Sequence, residues 1–425
     1  VITLPFLDKP WLAVGPHPSD PDGEIIYVSY TEFSAELQVL YIGEVPQFAV
    51  NEVKTTIKLV RSEDSGVTWS DPIAISPTAR RVSGSDIPAP GEAMAEGLKR
   101  VVQGSQPVIA SDGTVYVVWM DTTNDGSQKG AAEIYVARSD DSGRTFSEPI
   151  RASTFREPGF RPKTAFFRYW GSSFPQVAAG SDGEIYIVFV GLNPSIPTDD
   201  GDVYFVRSLD GGTTWSRKKS LGGDETDRLQ FFPAITTDPT GNLHVMWGDM
   251  RDDPIQTRYH IYYTTSEDQG ESWGFKHPEL DLISEDTRMT DYSSNANKGF
   301  PNGLFLGDYF AITATDDDVF AVWSDTRLGE YGPPNQKIGF ARRSAIASAE
   351  VFLSPPAGAG GQEVTLQGFN FQPDMNVFIQ VGGVTVAAER TNALGRFTGK
   401  LFMPVSGSGA QDILVFDESG NLAST

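Results

Sequence analysis

The sequence predicts an all-β protein: a five- or six-bladed β-propeller over residues 1–345, followed by a smaller β-sandwich over residues 346–425. Three observations predict it. A turn-forming octad occurs four times, short alternating strands recur in a constant order around it, and the composition changes after Arg343. Such repeats read as supersecondary units that bury a continuous core between neighbours.

The octads are Ser62–Trp69 (SEDSGVTW), Ser139–Phe146 (SDDSGRTF), Ser208–Trp215 (SLDGGTTW) and Ser266–Trp273 (SEDQGESW). In each, an aspartate (Asp64, Asp141, Asp210, Asp268) is placed to accept backbone N–H groups a few residues on, and the glycine supplies a positive φ. The closing aromatics Trp69, Phe146, Trp215 and Trp273 are expected to pin each turn onto a neighbouring sheet. A unit repeated four times at one phase is architecture, whereas an active site is assembled once.

The strands around the octads follow one grammar. In the clearest copy, Pro107–Ala110 leads through the turn Ser111–Gly113 to Thr114–Trp119, then to Glu133–Arg138, the octad and the short strand Glu148–Arg151. The same order starts at Pro10, Pro175, Pro233 and Phe310. Period-2 alternation with four strands per unit describes propeller blades. Five units fit, and a sixth, irregular one fits within the insertions. The last unit has three strands and no octad. Ile2–Phe6 is expected to complete it by strand exchange between the termini, which would remove a sheet edge.

The octads resemble the Asp boxes (BNR repeats) of the sialidase superfamily, over Pro10 to Arg342. That resemblance implies a propeller fold, which catalytic and non-catalytic proteins share. For a sialidase it further implies three arginines for the substrate carboxylate, a tyrosine nucleophile with a partner glutamate, and an aspartate acid/base. The family's early R-I-P motif is absent, and Lys9-Pro10-Trp11 stands at the comparable place.

In this grammar the octads and the Ser-Asp-Gly turns share one face of the propeller. The insertions 31–55, 77–104, 152–173, 191–201, 249–259, 284–307 and 326–336 share the other, where function concentrates. Trp119-Met-Asp121, Trp247-Gly-Asp249 and Trp323-Ser-Asp325 end three second strands there, and the last two continue to Arg251 and Arg327. W-x-D-x-R reads either as an Asp–Arg pair or as two members of an anion-binding cluster. The segment from Arg151 to Trp170 is basic and aromatic, holding Arg156, Arg161, Arg168, Tyr169 and Trp170; it reads either as packing and subunit contact or as a sugar or carboxylate site. Asp308 and Tyr309 begin the innermost strand of the last unit, where a nucleophile would sit and where core packing is the alternative. A retaining glycosidase needs its two catalytic groups about 5 Å apart. No metal centre or cofactor is expected, although the oxygen-rich loops Asp121–Gly126 and Thr198–Asp202 are able to hold calcium as well as to lie solvated.

Beyond the short polar stretch at Ser344–Ala349, a series of short β runs begins at Glu350. The Ser-Pro-Pro opening, the Gly368–Pro373 segment and the Gly382-Gly383 hairpin resemble TIG-type immunoglobulin-like domains, which act as spacers or adhesion modules outside the cell. Another strand is expected after Asn421–Thr425, supplied by further chain or by a second subunit through strand addition.

Composition bounds the function. Acidic residues number 56 against 33 basic ones, a net charge of −23, which argues against nucleic acid and against anionic membranes as partners. The absence of cysteine excludes disulfide scaffolds, thiolate metal sites and a cysteine nucleophile. No apolar run approaches the ~20 residues that span a bilayer. The chain opens on Val1 rather than Met, which suits loss of an N-terminal signal and an extracellular or cell-surface location. The expectation is a non-catalytic propeller that binds glycan or a surface protein, with self-assembly through the C-terminal domain. The alternatives are a sialidase-type exo-glycosidase using Tyr309 and Asp308, and a structural subunit of an extracellular filament or surface layer.

Overall fold

In the computed structural model the chain is described over residues 2–82, 101–122, 131–158, 174–222, 226–276, 283–290, 292–299, 306–315, 318–344, 349–355, 359–405, 411–417 and 421–425. Among those residues it is all-β, with two short 3-10 turns. It divides by its contacts into two compact units, and among the described residues the cut falls between Ser220 and Leu221. Residues 349–425 belong to the second unit together with 221–344, so the change in composition near Ser344 does not coincide with that cut.

The first unit holds three antiparallel sheets, each a meander in sequence order, the arrangement from which propeller blades are built. Their strands are Ile2–His17, Asp20–Ile42, Val45–Ser62 and Ile73–Ala74, with Ala79–Val82 also pairing on Val45–Ser62; Val102–Ile109, Val115–Asp121, Ala131–Ser139 and Ile150–Arg156; and Gln176–Ala179, Ile185–Gly191, Asp202–Ser208 and Lys219–Ser220. Val115, Val117 and Trp119 alternate into one core with Ile25, Tyr27, Ile57 and Leu59 of the first sheet. Buried polar pairs join the inner strands: Ser105 donates to Ser29 at 2.9 Å, and the Gln106 amide donates to Gln176 at 3.1 Å.

Two expectations fail in the first sheet. Residues 31–55, read as a loop insertion, continue the second and third strands as one long hairpin, paired from Ile26↔Ser62 to Ile42↔Val45 with one register shift between Glu36 and Leu37. Ile2–Asp8 pairs with Thr31–Leu37 of that hairpin, and Phe6 stacks on Phe33 at 4.5 Å, so these residues do not complete the last unit. A strand that folds back on its sequence neighbour closes a far shorter loop than one reaching the last repeat.

The second unit contains a sheet of Gln230–Thr237, Leu243–Asp249 and Arg258–Ser266, with the short strands Thr287–Arg288 and Ser294–Asn295 on its outer edge. A further sheet of Ala311–Ala314, Asp318–Asp325 and Lys337–Ser344 has three strands among the described residues. Phe231, Phe232 and Phe310 join these two sheets edge to face, with centroids 5.3–5.8 Å apart. Phe275–Lys276 and Ile283–Ser284 pair as a two-stranded ribbon, and the last seven strands form two sheets. Glu350–Ser354, Glu363–Phe369 and Phe397–Phe402 make one; Val384–Arg390, Asn376–Val381, Ile413–Asp417 and Leu422–Ser424 make the other. Val364, Leu366 and Leu401 face Val377, Ile379 and Val415 across their common core. Leu422–Ser424 is the edge strand of the second sheet.

All four octads fold alike. The serine hydroxyl donates to the aspartate at 2.8 Å, and the aspartate accepts the backbone N–H of Thr68, Thr145, Thr214 or Ser272 at 2.8 Å together with the same residue's hydroxyl. The glycines take φ of 76–85°. The aromatics differ: Trp273 is buried and Phe146 packs on the core, but Trp69 is 45% exposed.

Candidate functional site

The three copies of W-x-D end at one phase of the meander, and their surroundings decide what each carboxylate does. In the copy Trp247–Arg251, Asp249 is fully buried. It accepts from the Trp247 indole at 2.8 Å and from the Arg251 guanidinium at 2.7 and 2.9 Å. Arg251 also reaches Asp286 at 2.9 Å and lies 4.0 Å over the Tyr262 ring. Burial works against the Arg251 charge, but Asp249 and Asp286 outweigh it and hold the group well above its ordinary pKa. In the copy Trp323–Arg327, Asp325 accepts the Arg327 backbone N–H at 2.8 Å and its Nε at 2.5 Å. Each arginine is therefore paired with the aspartate of its own W-x-D-x-R segment.

The cluster around Arg251 has a structural task. Arg396, at the start of Phe397–Phe402, donates to the Asp286 carboxylate at 2.6 Å. Gln367 donates to Asp252 at 3.2 Å, Thr287 to Glu350 at 3.2 Å, and the buried Arg288 guanidinium lies 4.6 Å over the Phe352 ring. These contacts fasten the C-terminal sheets to the sheet of Leu243–Asp249. Sequence reading missed this, because Asp286, Arg288 and Arg396 carry no motif.

Asp121, in the copy Trp119–Asp121, behaves differently. The residue two positions on is Thr123, so this copy does not extend to W-x-D-x-R. The matching position of the next sheet is Gly191, which brings no carboxylate. Asp121 instead lines a half-open cavity of about 380 Å³ with Ala131, Glu133, Thr154, Arg156, Leu192, Pro194 and Lys218. The Leu192 N–H bonds the Arg156 carbonyl at 2.8 Å and ties the two sheets together there. Phe155 also lines the cavity and forms an aromatic row with Phe189 and Tyr204, with centroids 5.1 and 6.0 Å apart. Glu133 is paired with Arg151 at 2.6 Å. The Lys218 ammonium sits 4.7 Å over the Tyr204 ring and has no ion-pair partner among the described residues. Burial pushes the Lys218 amine below its usual pKa.

Of the sequence-predicted binding residues, Arg156 lines this cavity, while Arg161, Arg168, Tyr169 and Trp170 lie outside the described residues. Asp308 and Tyr309 are half-buried, each has a bonded or charged partner, and Phe310 is the ring of that segment that enters the core. The Asp199 carboxylate of the oxygen-rich loop Thr198–Asp202 accepts the N–H groups of Asn193 and Gly201. No cluster of three or more metal-ligating side chains occurs among the described residues. Lys218 was the functional candidate that sequence reading passed over, since the short basic run Arg217–Lys219 reads as an ordinary strand entry.

No protein-family model matches the chain, and no curated protein matches it. Among solved structures it is similar to a protein of unknown function from Dyadobacter fermentans, at 13% identity over 81% of this chain and 86% of that one, with a TM-score of 0.42. It is also similar to a Penicillium chrysogenum α-L-arabinanase, at 12% identity over 80% and 94% with a TM-score of 0.39. A Hadza microbial sialidase is similar at 13% identity over 100% and 92%, with a TM-score of 0.37. At these values none of them lends its chemistry to this chain.

Proposed function

We propose that the chain is a sialidase-like Asp-box propeller of five or six blades carrying an immunoglobulin-like sandwich, and that it binds glycan outside the cell without turning it over. One observation carries this reading: the three W-x-D copies diverge. Asp249 and Asp325 each hold their own arginine, while Asp121 lines a polar cavity together with Phe155, Leu192 and Pro194. Small-molecule sites have this make-up, with a few convergent polar groups over aromatic and apolar walls. The four identical octad turns support the Asp-box assignment, and the two C-terminal sheets around one core support the immunoglobulin-like one. The test is a glycan array probed with the full chain, beside a fluorogenic sialoside assay. Glycan binding without turnover is expected. Sialoside turnover that disappears in Tyr309→Phe overturns the non-catalytic reading in favour of an exo-glycosidase.

A second reading, assembly of copies, is favoured by the tip of the long first-sheet hairpin, where Tyr41 and Ile42 are 71% and 73% exposed. Native mass spectrometry tests it, and discrete monomers at micromolar concentration reject it.

A further inference from the structure

We infer that the cavity between Asp121 and Lys218 is a subsite for a sugar residue bearing one anionic group, a carboxylate or a sulfate, with Lys218 as its counter-charge; this rests on the glycan-binding reading above. Its size, about 380 Å³, falls at the lower end of the ~300–1,000 Å³ of small-molecule sites. The charges that line it are not equivalent. Glu133 is already matched by Arg151 at 2.6 Å. Lys218 is not matched by any carboxylate among the described residues, and its ammonium rests on the Tyr204 ring face at 4.7 Å.

An ammonium in that position has three donors and one aromatic neighbour. The ring stabilises the charge without using its hydrogen bonds, so those donors stay available to a ligand. Its surroundings also strip water from the amine, and an anion restores the charge stabilisation that hydration no longer provides. The exposed Arg156 side chain adds a second cation at the mouth.

The carboxylates set the opposite limit. Asp121 and Glu133 lie on directly paired residues of adjacent strands and face the same cavity. They accept sugar hydroxyls and repel a ligand of high negative charge, which disfavours polyphosphates and densely sulfated chains. A ligand with one negative group and several hydroxyls satisfies both ends, while Leu192 and Pro194 give its ring an apolar wall.

Isothermal titration of the full chain with D-glucuronate, D-glucose 6-sulfate and D-glucose tests the assignment. At least one of the two acidic sugars is expected to bind more tightly than glucose, and comparison of the two separates carboxylate from sulfate. Lys218→Met should weaken that sugar on the order of tenfold, the loss of one charge-assisted hydrogen bond, and Lys218→Arg should retain it. Lys218 is half-exposed, so both variants are expected to keep the wild-type melting temperature. Glucose binding as tightly as the acids, or acid binding unchanged in Lys218→Met, overturns the anionic subsite and leaves glycan binding standing. Failure of all three sugars with a positive glycan array also overturns the subsite alone. Failure of both measurements overturns the glycan-binding reading as well.

Discussion

Replacing Asp286 by alanine should loosen the C-terminal sheets from the sheet of Leu243–Asp249. Asp286 is fully buried, and its carboxylate holds two guanidinium groups, Arg251 at 2.9 Å and Arg396 at 2.6 Å. Without it Arg251 still has Asp249, whereas Arg396 loses the carboxylate that balances a charge only 15% exposed. Stranding one member of a buried ion pair costs ~3–5 kcal/mol. Arg396→Met removes the other member and leaves Asp286 matched by Arg251, so the loss should be nearer the ~1.5–3 kcal/mol of a single charged hydrogen bond. A chain with two compact units need not unfold in one step, so the readout must be local. Hydrogen exchange followed by mass spectrometry over residues 283–290, 350–354 and 397–402 provides one. At ~1.4 kcal/mol per tenfold, Asp286→Ala should speed exchange there by about two to three and a half powers of ten. Combining it with Arg396→Met should add little, since the two side chains form one interaction. Unchanged protection in Asp286→Ala, or fully additive losses in the double variant, would refute the reasoning.

Acid should weaken the octads. The Thr214 hydroxyl and N–H hold Asp210 at about 2, against an ordinary 3.8. Burial opposes the shift at Asp141, but the Thr145 hydroxyl and N–H outweigh it, again to about 2. The unfolded chain takes these protons first, so the contribution is intact above about pH 4 and is lost as pH falls through 3.8 toward 2; thermal melts of Asp141→Asn should be flatter over that window. His260 adds a slope at higher pH. Burial, then the Arg288 charge, pushes its imidazole down to about 3, so stability should fall as pH drops from about 6.5 toward 3, and His260→Gln should reduce that slope in urea titrations. Gly368→Ala would place a methyl 1.9 Å from the Phe397 ring and should destabilise by ~1–3 kcal/mol, whereas Gly332→Ala meets nothing within 4 Å and should be neutral in the same denaturation assay.

Local chemistry was legible in the sequence. Each octad closes its hydrogen bonds within five residues, so Asp64 to Thr68 or Asp268 to Ser272 folds the same way wherever the chain carries it. The meanders were legible for a similar reason: strands joined by short turns pair with their neighbours, as Gln176–Ala179 does with Ile185–Gly191. The C-terminal β runs were legible down to the alternation that puts Val377, Ile379 and Val381 into one core.

Tertiary structure decided whatever depended on a distant partner. Residues 31–55 read as a loop because their turn at Gly43 was hidden inside a long polar and apolar mixture; pairing with Val45–Ser62 made them strand and drew Ile2–Asp8 onto the same sheet. Arg251 read first as half of an Asp–Arg pair, with an anion receptor as the alternative; Asp286, 35 residues away, also closes on it, and Arg396 joins from 110 residues beyond Asp286. Asp121 and Lys218 share a cavity only because two successive sheets adjoin at Arg156 and Leu192. Sequence alone set which residue types stood at each strand end. The charge that faced each carboxylate across the fold determined whether it became a strut or a cavity wall.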